Sequence, residues 1–199
     1  MQVNNKEKQK IDLEIAAQLP DSHFMIQRDL KDQLLRLSQT MPVVTVTGPR
    51  QSGKTTLCRA CFPELPYANL ELIDTRLLAT EDPRKFLARF PDGAIIDEVQ
   101  NCPDLLSYIQ VAVDEDPRPG RWVLTGSQNL LLLESVSQSL AGRTAVLNLL
   151  PLSYNEIVRF ENYPTDLNTT LLTGSYPRIL ENQIPPGDFL ESYISTYVE

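Results

Sequence analysis

Two rhythms of apolar and polar positions take turns along this chain. Residues 43–47 (VVTVT) are a β-branched run that reads as a buried strand, and Met25 to Ser38 sets Ile26, Leu30, Leu34, Leu35 and Leu37 near helical spacing. A helix is predicted from Thr55 to about Phe62, because Pro63 disfavours helical backbone in the residue before it. Tyr67 to Ile73 (YANLELI) reads as a second strand. Asp82 and Pro83 open another helix, with Asp82 as N-cap, Pro83 in the first turn, and Phe86, Leu87 and Phe90 facing inward. Ala94 to Ile96 predicts a third strand, Arg121 to Thr125 a fourth and Thr144 to Leu149 a fifth. Helices are predicted between them, from Pro103 to about Val113 and from Leu130 to Leu140. Short strands alternating with helices imply a three-layer α/β fold, a parallel sheet with helices on both faces.

The two ends differ from this pattern. Residues 1–24 are polar with a weak apolar stripe and read as an N-terminal arm, leaving 25–152 as the core. After Pro151 come a short helical segment (Ser153 to Glu161), a polar stretch (Asn162 to Thr170), Gly174-Ser175-Tyr176-Pro177 and a break at Pro185-Pro186-Gly187. Asp188 to Glu199 then reads as a helix that stops without a C-cap. Residues 153–199 are therefore expected to be a helical lid or the start of a truncated C-terminal region.

The first predicted strand leads into Gly48-Pro49-Arg50-Gln51-Ser52-Gly53-Lys54-Thr55-Thr56. A glycine-containing loop of this length curls its backbone N–H groups around phosphate, and the following helix adds its positive N-terminus. All nine residues are expected to line a nucleotide phosphate site, with Lys54 reaching the β- and γ-phosphates and the Thr55 hydroxyl ligating Mg²⁺. In parallel sheets, ligands sit at the carboxyl ends of strands. Two further polar groups fall at such ends. Asp97-Glu98 closes the third strand, Asp97 suited to the Mg²⁺ shell and Glu98 to polarising a water. Thr125-Gly126-Ser127-Gln128 closes the fourth. Ser127 either touches the γ-phosphate or the attacking water, or it caps the next helix, as Asn129 also can. Arg143 is either a transition-state arginine, in cis or from a neighbouring subunit, or a cation closing a helix C-terminus. Arg50 reads as a solvated or neighbour-contacting residue, and Arg178 as a weaker candidate for a lid contact.

Charge and cysteine usage narrow the picture. With 18 basic and 26 acidic residues the net charge is −8, which excludes a general nucleic-acid coat and gives no support to a DNA-related role. No run is long enough to span a bilayer and the polar start lacks a signal peptide's apolar core, so a cytoplasmic location is expected. Three cysteines without an export signal imply reduced thiols, and Cys58-x-x-Cys61 reads as two packed positions of one helix. The single histidine, His23, reads as a surface residue.

Taken together, TGPRQSGKTT, YANLE, EDPRKFL, AIIDEVQNCPDLLSYIQ, WVLTGSQN, SLAGR, LLPLSYNEI and GSYPRI occur in this order. The combination resembles the AAA-type ATPases of bacteria and archaea that carry a C-terminal domain of uncharacterised function, sometimes likened to a nuclease-like fold. The resemblance covers about Met25 to Glu199. It implies an additional-strand P-loop NTPase fold with sheet order 5-1-4-3-2. Lys54 and Thr55 would be Walker A, Asp97 and Glu98 Walker B, and Thr125 to Asn129 sensor-1-like, with Arg143 at a position suited to an arginine finger. Members continue well beyond the helix at which this sequence stops, and no sensor-2 arginine stands out in a helical lid.

The expected function is Mg²⁺-dependent ATP hydrolysis coupled to conformational change in an attached domain or partner. The absence of an Asn/Thr-Lys-x-Asp guanine-reading motif favours ATP. The alternatives are a nucleotide-gated switch with negligible turnover and a small-molecule kinase, against which the paired Asp97-Glu98 speaks. Expected partners are ATP, an unidentified protein or the absent C-terminal domain, and a second copy of the chain if Arg143 acts in trans.

Overall fold

The computed structural model describes residues 26–127, 134, 136 and 138–198. The 1–24 arm, His23, Gln128, Asn129 and the predicted start of the helix at Leu130 lie outside the described residues.

Strand β1 (Val43–Gly48) is followed by α2 (Lys54–Cys61), and α1 (Leu30–Ser38) precedes it. Then come β2 (Tyr67–Asn69), α3 (Ile73–Glu81), α4 (Pro83–Leu87), β3 (Ala94–Asp97), α5 (Leu105–Glu115), β4 (Trp122–Ser127) and β5 (Thr144–Asn148). The five strands form one parallel sheet in the order β2-β3-β4-β1-β5, which is the predicted 5-1-4-3-2 read from the other edge. The fold is the three-layer α/β arrangement of P-loop NTPases.

The period-two alternation of each strand divides the core between two faces. Ala94, Ile96, Trp122 and Leu124 pack with Phe86, Leu105, Leu106 and Ile109 on one side. Val44, Val46, Ile95 and Val123 pack with Leu34, Leu57 and Cys58 on the other, and the half-buried Cys61 joins them. The threonines of β1 are buried without penalty because each hydroxyl is paired, Thr45 with the Thr144 hydroxyl at 3.0 Å and Thr47 with the Leu147 carbonyl at 3.2 Å.

Most predicted elements recur with shifted ends. The exception is Tyr67 to Ile73. Only Tyr67–Asn69 is strand, and Ile73 opens α3. The Asn69 side chain accepts from the Glu71 N–H at 2.8 Å, a local turn that ends the ladder. Helix α3 escaped the sequence pattern because Ala79 is its only buried residue, while Ile73 and Leu77 face solvent. At α4 the expected cap is present, with the Asp82 carboxylate accepting from the Lys85 N–H at 2.9 Å.

Beyond β5 the chain forms α6 (Tyr154–Ile157), α7 (Leu167–Thr173), α8 (Pro177–Asn182) and α9 (Pro186–Tyr193), the last continuing as a π-helical turn over Ile194–Val198. Here Ile179, Phe189 and Tyr193 form a separate apolar cluster with Tyr176.

Ile96 is fully buried and Leu172 is 73% exposed. Ile96→Ala is expected to lower unfolding stability by about 2–5 kcal/mol. Leu172→Ala is expected to change it by less than about 0.5 kcal/mol. Urea titration checks both.

Candidate functional site

The carboxyl rim of the sheet is where β1, β3 and β4 deliver their last residues. At Gly48 the backbone adopts φ 151°, and a Cβ there would lie 2.1 Å from the Leu149 carbonyl oxygen. The chain therefore enters the loop pressed against the strand connection beside it. Gly53 ends the loop with φ 92°, a left-handed conformation that glycine adopts at no steric cost.

Lys54, the first residue of α2, is buried and folds back over the loop. Its Nζ donates to the carbonyls of Gly48 at 3.0 Å and Pro49 at 2.9 Å. Burial pushes the ammonium's pKa down, and the carboxylates of Glu98 and Asp97 oppose that shift.

Asp97 is the hub of the rim. It is buried, and its carboxylate accepts from three hydroxyls. Thr55 Oγ1 lies 3.0 and 3.1 Å from its two oxygens, the Tyr67 hydroxyl 2.6 Å from Oδ2, and Thr125 Oγ1 donates to Oδ1. Burial and the neighbouring Asp97 charge push the Tyr67 phenol up, so it stays protonated as a donor. Arg59 stacks over the Tyr67 ring at 4.8 Å. Thr55 and Asp97 are hard oxygen donors already in mutual contact, a donor set that fits Mg²⁺.

Glu98 follows in a left-handed conformation, φ 57° and ψ 47°, which for a non-glycine residue stores about 1–3 kcal/mol. Its N–H donates to Thr125 Oγ1 at 3.3 Å, and its carboxylate accepts from the Gln100 side-chain amide. The turn lifts the Glu98 side chain out of the sheet. Glu98 lines a cavity of about 630 Å³ together with Arg50, Gln51, Gly53, Lys54, Thr55 and Thr56. That volume lies within the range of small-molecule sites, about 300–1,000 Å³. Ile26, Phe160, Pro177 and Arg178 line the same cavity. Ser127 stands beside Gly48 in the β4–β1 register, at the same rim.

Arg143 is elsewhere. It precedes β5, and its carbonyl accepts from the N–H of Val43, the first residue of β1. It therefore lies at the amino rim, about 16 Å of strand away from the loop by the usual rise per residue. Its guanidinium is engaged by both oxygens of Asp114, at 2.6 and 2.9 Å. The structure does not bring Arg143 to the phosphate loop of its own chain, so the cis reading fails on distance. Arg50 is exposed, with its guanidinium 5.8 Å from the Tyr197 ring and its carbonyl accepting from the Tyr193 hydroxyl at 3.3 Å.

Sequence reasoning missed a buried ion pair beside the loop, whose Arg28 also lines the cavity. Arg28 Nε donates to Glu156 Oε1 at 2.8 Å, Nη1 to the Ser52 carbonyl at 2.6 Å, and Nη2 to the Leu150 carbonyl at 2.8 Å. Glu156 also accepts from the N–H groups of Asp29 and Ser153, each at 2.8 Å. Burial alone would raise the Glu156 carboxyl, but Arg28 and these two N–H groups hold it below the usual glutamate value. The one signal in the sequence was Ser153-x-x-Glu156, which closes a capping box at the start of α6.

A family model described as an AAA domain matches residues 40–158, from just before β1 through α6. Uncharacterized proteins of Mycobacterium tuberculosis and Mycobacterium bovis are each 36% identical over 133 residues, which is 65% of this chain and 30% of theirs. The chain thus spans under a third of the length of these curated relatives. Among solved structures, a Walker-type ATPase of Pyrococcus abyssi is similar in fold, with TM-score 0.55 and 19% identity over 86% of this chain and 72% of that one. No helix among the described residues is long and apolar enough to cross a membrane.

Two outcomes are expected. Arg143→Ala leaves ADP affinity unchanged in calorimetry. Glu156→Gln is less stable than wild type at neutral pH. Because the folded-state pKa of Glu156 lies below its ordinary 4.5, that gap persists above pH 4.5 and closes as pH falls through the lower folded value, read from thermal midpoints across pH.

Proposed function

The chain belongs to the AAA-domain family, and on that premise we propose that it binds ATP with Mg²⁺ and hydrolyses it. The observation that carries this reading is that Lys54 and Thr55 of α2 and Glu98 after β3 line one cavity, while the buried Asp97 carboxylate at the end of β3 accepts from Thr55. The loop from Gly48 to Gly53 and the N-terminus of α2 receive the phosphates. Lys54 exchanges its two carbonyl partners for β- and γ-phosphate oxygens, a substitution of one set of acceptors for another at the same ammonium. Thr55 and Asp97 hold Mg²⁺, which supplies neutralisation of the phosphate charge when bound. Glu98 accepts a proton from the attacking water, and Ser127 stands where its hydroxyl meets that water or the γ-phosphate.

Residues 153–199 act as the lid in this reading. Phe160 and Pro177 close the apolar side of the cavity, and Arg178, at the start of α8, offers the γ-phosphate a cation from above. The Tyr193 hydroxyl on the Arg50 carbonyl ties α9 to the phosphate loop. A change in loop shape on hydrolysis would therefore reach an attached domain or a protein partner through this helix. Arg143 serves a γ-phosphate only in a second copy of the chain, so a catalytic role for it implies a homo-oligomer. We place the protein in the cytoplasm.

One observation favours the alternative of a slow nucleotide-gated switch: the Gln100 side-chain amide already donates to Glu98 Oε2, so one of the two carboxylate oxygens is shared with a protein donor. Phosphate release from Mg²⁺-ATP separates the two readings. Lys54→Ala is expected to abolish tight binding. Glu98→Gln is expected to keep ATP affinity and lower turnover by about 10²–10⁴-fold, the usual worth of a general base. Unchanged turnover in Glu98→Gln would remove Glu98 from the mechanism, and tight binding without release in the wild type would favour the switch.

A further inference from the structure

Arg28 lies outside the Walker motifs and 24 residues before the loop carbonyl it holds. It is 8% exposed, and its guanidinium reaches three acceptors from three different parts of the chain: Ser52, Leu150 and Glu156. A planar fork can satisfy three directions at once, which a lysine ammonium on a flexible stem cannot match in this geometry.

The contact with Ser52 fixes more than a carbonyl. In a trans peptide the C=O and the next N–H lie in one plane and point opposite ways. Holding the Ser52 carbonyl toward Arg28 therefore turns the Gly53 N–H away from Arg28, to the side on which the loop curls. Gly53 needs this external hold. Its φ of 92° is one of many conformations open to a glycine, and no side chain of its own restricts it. A Cβ at Gly53 would approach Arg28 Nη1 to 3.3 Å, so the guanidinium packs directly on this peptide.

Glu156 completes the device. An arginine this close to a phosphate site, without a counter-ion, would be drawn to the phosphate and release the carbonyl. The Glu156 carboxylate, itself fixed by the N–H groups of Asp29 and Ser153, holds the fork on the Ser52 carbonyl although Arg28 also lines the cavity.

We propose that Arg28, held by Glu156, is a positioning residue that presets the Gly53 N–H for the β-phosphate before nucleotide arrives, and so links α6 to phosphate affinity. This inference rests on the ATP-binding reading of the loop. It predicts a loss confined to ligands that carry a β-phosphate. In calorimetry on the whole chain, Arg28→Lys should weaken ADP about tenfold, the worth of one charge-assisted hydrogen bond, and leave AMP within about twofold. A merely structural role would weaken ADP and AMP alike, and that result, or unchanged ADP affinity, overturns the proposal.

Amide hydrogen exchange without nucleotide gives the second arm. In Glu156→Gln, and in Arg28→Lys where it folds, the Gly53 amide should exchange faster while the Val44–Val46 amides of β1 keep their protection. Unchanged exchange at Gly53 in Glu156→Gln overturns the proposal even if Arg28→Lys does not fold. Wild-type protein that fails to bind ADP would refute the ATP reading instead, and the exchange arm would still judge whether Arg28 holds the loop.

Discussion

Strand β1 has neither a free edge nor a free face. It is hydrogen-bonded to β4 on one side and β5 on the other, and Val43, Val44, Thr45 and Val46 have no solvent exposure. Everything at the carboxyl rim depends on this confinement. A loop grown from an edge strand could tilt with its strand, whereas the loop after Gly48 starts from a point fixed in all three directions. The same sheet supplies the second half of the site, because β3 and β4 are in register with each other and β4 with β1. Asp97 and Thr125 thus arrive beside Thr55 without any loop having to place them.

At this fixed rim a single buried carboxylate organises the polar groups. Taking Asp97 out of water is costly, and three hydroxyl donors around it answer that cost. Two of the three, Tyr67 and Thr125, sit on neighbouring strands, so the sheet itself solvates the charge. The third, Thr55, is the one that faces the cavity. The arrangement leaves Lys54 in a different position. Its partners are carbonyls of its own loop, which a more strongly charged acceptor can displace.

Local signals were the legible ones. The β-branched run, the glycine spacing and the Asp97-Glu98 pair each lie within a few residues of the structure they specify, and the strand order followed once the family resemblance was added. What stayed hidden is non-local or conformational. Arg28 and Glu156 are separated by 128 positions, and nothing local in the sequence pairs them. Tyr67 read as a strand residue, and only the β2–β3 pairing puts its hydroxyl on Asp97. The left-handed turn at Glu98 has no compositional mark, since glutamate is not a residue that favours it. Arg143 misled for a related reason. The string Leu140-Ala141-Gly142-Arg143 offers a transition-state arginine as readily as a cation closing a helix, and nothing local says that the chain has already returned to the amino rim to begin β5.

Gly48 carries a consequence for how such loops change over time. The neighbour that forbids a side chain there is the Leu149 carbonyl, part of the protein's own framework rather than any phosphate. A descendant of this chain that had stopped handling nucleotides would lose the pressure to keep Lys54 and Thr55, yet its sheet would still require glycine at this position. The first glycine of the motif is therefore a fossil of architecture. Its survival in a degenerate copy would report an intact sheet, and only the lysine and the hydroxyl beyond it would report an intact site.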